Sequence, residues 1–418
     1  MHFQFRDPSR AVVLALAIAL SALWLTRPLS AEESKAGWST GIDLTLEGAT
    51  GLRGGVNHVS TLHGMALSHL AWEQAESADR AIHFHAYASA LTLAGRGPTE
   101  AFLGDFLAAS NMEGYASTRL YSWWVEAEKG DWSLRAGALL ADEEFAGTEA
   151  GGSFFNGSFG WPAFISANTL NTGPAFYVAA PGVRLERKLG ETAAWRFGVY
   201  DGDSFDSIDG DPADTRHGLH YRVGGDQGFF ALTEANFAPA NSANRFKVGA
   251  WFHTAKFADV RDDETGGRIA ATGGDPRMHR GNYGAYAIAE RILAGKAGEA
   301  GYVSAYARAG YSPADRNTLG WAIDTGLAYT GLIPHRAADV TALGLVHGHF
   351  SPRFAANARA SDPASPAPDF EQVIELTHSA ALSEHFTVQP DLQYIRHPGG
   401  STAQRDALAF LLRVKASY

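Results

Sequence analysis

The chain has 418 residues, a formal net charge of −11 and no cysteine. The lack of cysteine excludes disulfide bonds, thiolate metal sites and a cysteine nucleophile. The acidic balance excludes the basic surface that nucleic-acid-binding proteins present to phosphates, so no nucleic-acid partner is expected.

The N-terminus has the order of a secretory signal peptide. A short stretch with two arginines precedes the uncharged run 11–25, and small residues follow at 30–31. This run is shorter than the roughly 20 residues that a transmembrane helix needs. We therefore predict that residues 1–31 are removed and that residues 32–418 form a single domain. An uncleaved membrane anchor is the alternative.

Beyond the signal peptide, helix signals are scarce and apolar residues recur at every second position, which is the pattern of β-strands. The clearest predicted strands are 81–91, 245–257, 301–312, 370–380 and 407–418. Strands of globular proteins average about five or six residues, whereas tilted membrane strands need about nine to eleven. The length of the predicted strands therefore favours a transmembrane barrel over a soluble sandwich.

The last strand shows the alternation most clearly. Its apolar face contains Leu408, Phe410, Leu412, Val414 and Ala416. The opposite face carries Arg413 and Lys415. In a membrane barrel the apolar face meets lipid and the charged face lines the bore. The strand ends at Tyr418, and a terminal aromatic residue resembles the signal by which the assembly machinery recognises outer-membrane barrels.

Connections of two lengths separate the predicted strands. Short turns are expected near 128–131, 225–228 and 381–385, and long loops at 95–117, 203–216, 259–281 and 353–369. Short periplasmic turns that alternate with long external loops are typical of outer-membrane barrels. We therefore predict an all-β, transmembrane antiparallel β-barrel with sixteen strands.

A further insertion, 142–177, separates two strand-like stretches and is rich in Phe, Trp, Asn, Gly and acidic residues. A connection of this length in a compact domain is usually functional or disordered, and the aromatic content argues against disorder. We expect it to fold inward and to narrow the bore as a constriction loop.

The residues around this insertion resemble those of a known family. A strand ending with Arg135 and Gly137 is followed by a D-x-E-F motif that begins at Asp142, and then by the stretch FNGSFGWP at 155–162. With these motifs the chain resembles the carbohydrate-selective porins of the OprB family, although Gly157 stands where a second Asn or Ser is expected. Further family-like stretches follow in order across 41–418.

The resemblance implies a sixteen-stranded barrel in the outer membrane of a Gram-negative bacterium. It also implies an inward-folded constriction loop and passive diffusion of monosaccharides such as glucose, without catalysis. Implied partners are small sugars, outer-membrane lipid and lipopolysaccharide, and the barrel assembly machinery.

Sugar passage requires aromatic faces for the sugar ring and polar groups for its hydroxyls. Candidate aromatic platforms are Phe155, Trp161 and Trp124. Candidate hydroxyl partners are Asp142, Glu144, Asn156, Glu126, Arg135 and Arg184. Candidate charges along the bore are Glu375, Asp391, Arg413 and Lys415. The alternative is that Phe155 and Trp161 pack the loop against the wall, and that Glu375 and Arg413 form ion pairs between strands.

Other chemistry is poorly supported by the sequence. Two His-x-His pairs, His83/His85 and His347/His349, lack an identifiable third ligand, so no metal site and no cofactor are expected. The hydrolase motifs G-x-S-x-G and H-E-x-x-H are absent. Two alternatives to a sugar porin remain. One is a periplasmic or surface-bound β-rich carbohydrate-active enzyme, and the other is a general, non-selective porin.

Overall fold

A closed antiparallel barrel forms the molecule. The computed structural model describes residues 36–75, 81–207, 210–239 and 242–418, and the predicted signal peptide, 1–31, lies outside the described residues. Within the described ranges, sixteen strands each pair with their neighbours in sequence, and the first strand pairs with the last. The all-β fold and the predicted number of strands are therefore confirmed.

The strands vary in length from 8 to 20 residues. They are β1 (Gly37–Arg53), β2 (Ser60–Glu73), β3 (His83–Gly95), β4 (Ser117–Lys129), β5 (Trp132–Leu139), β6 (Ala180–Lys188), β7 (Ala193–Asp201), β8 (Phe229–Phe237), β9 (Asn244–Asp263), β10 (Pro276–Ala294), β11 (Val303–Tyr311), β12 (Leu319–Thr330), β13 (Val340–Phe350), β14 (Phe370–Ala381), β15 (Phe386–Arg396) and β16 (Ala407–Ser417).

Helices occur only in the connections of the described chain. The α-helices are α1 (Gly157–Gly160), α2 (Ala163–Ser166), α3 (Ile269–Thr272) and α4 (Pro352–Ser361), and the other helical segments are single π- or 3-10 turns of three to five residues. None of the helices in the described ranges has the length and hydropathy needed to cross a bilayer as a helix.

Alternation along each strand separates an apolar outer face from a packed inner face. On β9, Phe246, Val248 and Phe252 are about half exposed and point outward, whereas Trp251 and His253 are buried inside. On β16, Leu412 lies on the outer face, and Ala409 and Leu411 are buried inside. Large exposed apolar side chains around the outside of a barrel form a surface that suits lipid.

The core lies inside the barrel, where the connection between β5 and β6 packs against the inner wall. Phe154, Phe155 and Phe159 of this connection share one buried cluster with wall residues of β11 to β16. Two wall glycines make room for its rings: a Cβ at Gly344 would overlap Phe159, and a Cβ at Gly310 would overlap Phe164. The predicted constriction loop therefore folds inward.

A second connection, between β3 and β4, also enters the bore. The backbone N–H groups of Phe106 and Leu107 donate to Glu371 of β14 at 2.7 and 2.8 Å. Gln393 of β15 donates to the carbonyl of Ala109 at 2.8 Å. The predicted long loop at 95–117 is therefore present between β3 and β4, but it folds into the bore instead of outward. The physical reason is apolar content, since residues such as Phe102 must be buried and the inner wall is where they can be.

Phe102→Ala should lower the free energy of unfolding by about 3–5 kcal/mol, because deleting a fully buried ring leaves a cavity. Phe106 belongs to the same connection but is 36% exposed, so Phe106→Ala should cost clearly less. Denaturant unfolding of the refolded barrel in detergent, followed by tryptophan fluorescence, measures both variants. Equal losses would contradict the placement of Phe102 in the core of the bore.

Candidate constriction site

The pairing of β4, β5 and β6 brings charged side chains together on the inner wall. Trp124 and Glu126 share the inner face of β4 because they are two residues apart. The register places Glu126 opposite Arg135, and Arg135 opposite Arg184. Three strands thus present one carboxylate and two guanidinium groups side by side.

Glu144 of the constriction loop completes this group. Arg135 lies 2.6 Å from Glu126 and 2.5 Å from Glu144. Arg184 lies 2.8 Å from Glu126 and 3.1 Å from Glu144. Each cation therefore contacts both anions, and the four side chains form a closed arrangement of alternating charge, here called the charge ring. The structure brings together these four residues of the predicted site.

Ser133, which the sequence analysis missed, supports the charge ring from β5. Its hydroxyl donates to Glu126 and accepts from Arg184 at 2.6 Å. Ser133 occupies the inner face two residues before Arg135, so strand alternation could have identified it once the pairing was known.

The Trp124 ring packs against two other side chains. The Arg135 guanidinium lies 3.8 Å from the ring centroid, and Tyr87 of β3 stacks at 5.4 Å. His69 of β2 extends the stack beyond Tyr87 at 5.9 Å. This arrangement holds Arg135 in place through a cation–π contact. Tyr87 lies on the polar face of the strand predicted at 81–91, but no pattern in the sequence indicates that it meets Trp124.

A cavity of about 360 Å³ lies between the charge ring and the turn that joins β4 to β5. Its charged lining includes the four ring residues together with Glu128, Asp131, Glu143, Glu186, Lys188 and Arg196. Arg196 pairs with Glu186 and donates to the carbonyl of Glu144 at 2.9 Å. These additional charges are not among the predicted site residues, although Glu143 lies between two that are.

Other predicted residues attach the constriction loop to the opposite wall. Glu375 of β14 accepts from the backbone N–H groups of Phe155 and Asn156 at 2.5 and 3.0 Å. Arg413 of β16 lies 3.9 Å from the Phe155 ring centroid and 2.6 Å from Glu47. Phe155, Asn156 and Glu375 have no exposed surface.

The remaining predicted residues also contact protein groups. The Asn156 side chain accepts from Ser158 at 3.1 Å and caps α1. Trp161 is largely buried and donates from Nε1 to the carbonyl of Thr172 at 2.8 Å. Asp142 accepts from the N–H of Phe176 at 2.9 Å.

Two predicted bore charges lie on the last strands. Asp391 of β15 is buried and accepts from Gln393 at 3.0 Å. Lys415 of β16 pairs with Asp43 of β1 at 3.2 Å, and both of these side chains are partly exposed.

Arg308 of β11 is a further anchor of the loop that sequence reasoning did not identify. Its side chain is fully buried and its Nε pairs with Asp324 of β12 at 2.9 Å. The other two nitrogens donate to carbonyl groups of the constriction loop at 2.6–3.1 Å, namely those of Ala146, Ser158, Phe159 and Gly160. A single guanidinium thus satisfies four backbone acceptors, which an ammonium with three donors could not do.

Two acidic groups of the constriction loop have raised pKa values. Burial raises the pKa of Asp142 to about 6. Partial removal from water inside the bore, followed by repulsion from Asp142, raises the pKa of Glu143 to about 7. Among the described residues, no group of three or more His, Asp or Glu side chains is placed to hold a metal ion.

The apolar outer face, the closed barrel and the narrowed, charged bore together define a membrane channel of the porin class. The sequence model of the family described as carbohydrate-selective porin, OprB family, matches residues 74–418. The chain belongs to this family. It is therefore a porin of the Gram-negative outer membrane, and the interpretation as a carbohydrate-active enzyme is wrong.

Individual relatives support the assignment. Porin B of Pseudomonas aeruginosa is 24% identical over 221 residues, an alignment that spans about half of each protein, 49% of this chain and 49% of that one. The high-pH structure of Pseudomonas putida OprB has a TM-score of 0.81 at 19% identity and covers 91% of this chain and 94% of that chain. The outer-membrane channel DcaP of Acinetobacter baumannii has a TM-score of 0.55 at 12% identity, with 93% and 100% covered. At these identities the structures show a shared fold.

Glu375→Gln should loosen the constriction loop, because the amide offers only one acceptor to two backbone donors. We expect larger and noisier single-channel currents in planar bilayers. Glu128→Gln is the matched control, since Glu128 also faces the bore and pairs with His85 at 3.9 Å, but in the described part of the chain it accepts no hydrogen bond from the constriction loop. If the control changed the current noise as much as Glu375→Gln, the anchoring role of Glu375 would be refuted.

The preference of the pore for cations over anions should depend on pH through Glu143. Its pKa of about 7 lies above the ordinary value, so the carboxyl is charged above neutral pH and gains a proton as pH falls. Reversal potentials across a KCl gradient should therefore show weaker cation preference at pH 6 than at pH 8. Glu143→Gln should flatten this change. An unaltered pH dependence in the variant would assign the titration to another group.

Proposed function

We propose that the protein is a passive pore through which small, glucose-like sugars cross the outer membrane into the periplasm. The observation that carries this proposal is the charge ring beside the cavity of about 360 Å³. Membership of the carbohydrate-selective porin family supports the substrate class.

The charge ring suits neutral polyols better than ions. Its two guanidinium groups and two carboxylates balance in charge, so neither cations nor anions gain a net attraction from the four groups together. A sugar hydroxyl both donates and accepts hydrogen bonds. Guanidinium groups supply donors and carboxylates supply acceptors, so alternating groups match the hydroxyls around a sugar ring.

The cavity favours small substrates. Its volume lies near the lower end of the range of about 300–1,000 Å³ that is usual for small-molecule sites. Binding there must be weak, because a channel has to release what it binds. A millimolar dissociation constant corresponds to only about 4 kcal/mol, which a few hydrogen bonds partly offset by desolvation can supply.

The predicted site residues then divide into two roles. Arg135, Glu126, Arg184 and Glu144 contact the passing sugar, and Trp124 positions Arg135. The second role is structural: the remaining candidates hold the constriction loop or the wall around it, namely Asp142, Phe155, Asn156, Trp161, Glu375, Asp391, Arg413 and Lys415.

Assembly of the barrel is proposed to depend on β16. The N–H of Tyr418 donates to the carbonyl of Ile42 at 2.9 Å, and the N–H of Ile42 donates to the carbonyl of Tyr418 at 2.8 Å. The strand that closes the barrel thus also carries the terminal aromatic residue that the assembly machinery would recognise. Export through the inner membrane is proposed to use the signal peptide, 1–31.

Arg135→Met should weaken the block of ion current by glucose about tenfold, because a charge-assisted hydrogen bond contributes about 1.5–3 kcal/mol. Arg187→Met is the matched control: Arg187 lies on the outer face of β6, 4.9 Å from the Trp132 ring centroid. Titration of glucose, sucrose and sorbitol against channels in planar bilayers measures the block constants.

The same titration separates a sugar-selective pore from a general one. If glucose neither blocks the current nor enters liposomes faster than sorbitol, a solute of similar size, the selectivity proposal fails. If glucose blocks but Arg135→Met leaves the block constant unchanged, the pore is selective and the contact lies elsewhere in the bore.

A further inference from the structure

The hairpin of β9 and β10 carries two cations on its outer face. The outward positions of β9 follow Phe252 at every second residue and include Lys256, which is exposed. Lys256 is directly opposite Arg280 of β10, which is exposed as well. On the same face, four residues before Lys256 along β9, Phe252 is opposite Tyr283, and each of these aromatic side chains is about half exposed.

This pairing is unfavourable in isolation. Like charges directly opposite each other on neighbouring strands repel, because their Cβ atoms are only about 5 Å apart. Within the described ranges, the side chains of Lys256 and Arg280 form no ion pair or hydrogen bond with the protein. An anion held between them would turn the repulsion into attraction to a shared partner.

The height of the pair on the barrel indicates where this anion lies. Lys256 follows the outward-facing Phe246 by ten residues, which is about 33 Å along a strand and about 25 Å along the axis of a barrel with the usual tilt. The outward apolar band of an outer-membrane barrel is about 25 Å tall. The pair is therefore at the level of the lipid headgroups, on the side of the long β9–β10 connection, which is the external side.

We propose that Lys256 and Arg280 together bind a phosphate group of an outer-leaflet lipid, with Phe252 and Tyr283 in contact with its acyl chains. Phosphate is the anion that two adjacent basic side chains recognise, and guanidinium groups bind it through paired hydrogen bonds. The external leaflet of the Gram-negative outer membrane presents lipopolysaccharide, whose lipid A carries phosphate above acyl chains. The aromatic pair beneath the cations favours this amphiphile over a free phosphate ion.

Binding of diphosphorylated lipid A to the purified protein in detergent, followed by native mass spectrometry, tests the proposal. Lys256→Gln/Arg280→Gln should weaken binding about 30-fold, since each basic residue near an anionic lipid surface contributes roughly fivefold. Lys129→Gln/Arg291→Gln is the matched control, because both of these exposed cations lie at the periplasmic ends of their strands. It should leave the affinity unchanged.

Two further measurements use the unchanged protein and distinguish a lipid phosphate from a free phosphate ion. Dephosphorylated lipid A should bind the unchanged protein at least tenfold more weakly than the diphosphorylated lipid, and inorganic phosphate should not displace the bound lipid. Equal binding of both lipids, displacement by phosphate alone, or an equal loss in the control variant would each overturn the proposal.

Discussion

A segment that enters a barrel brings unpaired backbone N–H and C=O groups with it, and the inner wall has to satisfy them. In this protein the wall does so with buried carboxyl and guanidinium groups. On β14, Glu371 accepts two backbone N–H groups from the β3–β4 connection, and Glu375 accepts two from the constriction loop. On β11, Arg308 donates to four carbonyl groups of the constriction loop. Leaving such groups unpaired in a buried site would cost about 1–3 kcal/mol each. The position of the constriction loop therefore depends on Glu375 and Arg308 of the wall.

The charge ring depends on the same attachment. Three of its members belong to the wall, where strand register fixes them, but Glu144 belongs to the constriction loop. Without a fixed loop, Arg135 and Arg184 would be adjacent cations with a single shared carboxylate. The loop thus contributes more than an obstruction, because it supplies the anion that balances the constriction.

Much of the fold follows from the alternation and length of the strands, since both reflect a tilted strand between lipid and bore. Glu126, Arg135, Arg184 and Glu144 were accessible individually, as polar residues on the insertion and on the strands beside it. Their convergence was not, because it depends on the register of β4, β5 and β6. The role of Arg308 was not accessible, since a lone arginine on an inner face looks the same whether it meets water or a loop. The same holds for Trp124, whose neighbours depend on pairing with β3. Contacts between segments that are far apart along the chain leave no pattern in the local sequence of either segment.

The closure of the barrel also constrains how the chain folds. The seam between β1 and β16 joins residues such as Leu44 and Ala416, which are separated by nearly the whole length of the described chain. Contacts with such large sequence separation slow folding, because the entropy of closing the loop must be lost before the contact forms. Before that step β1 presents an unpaired strand edge, which is prone to pair with other chains. Aggregation therefore competes with folding while the sheet is still open. Its extent depends on how long the sheet stays open and not on the stability of the finished barrel.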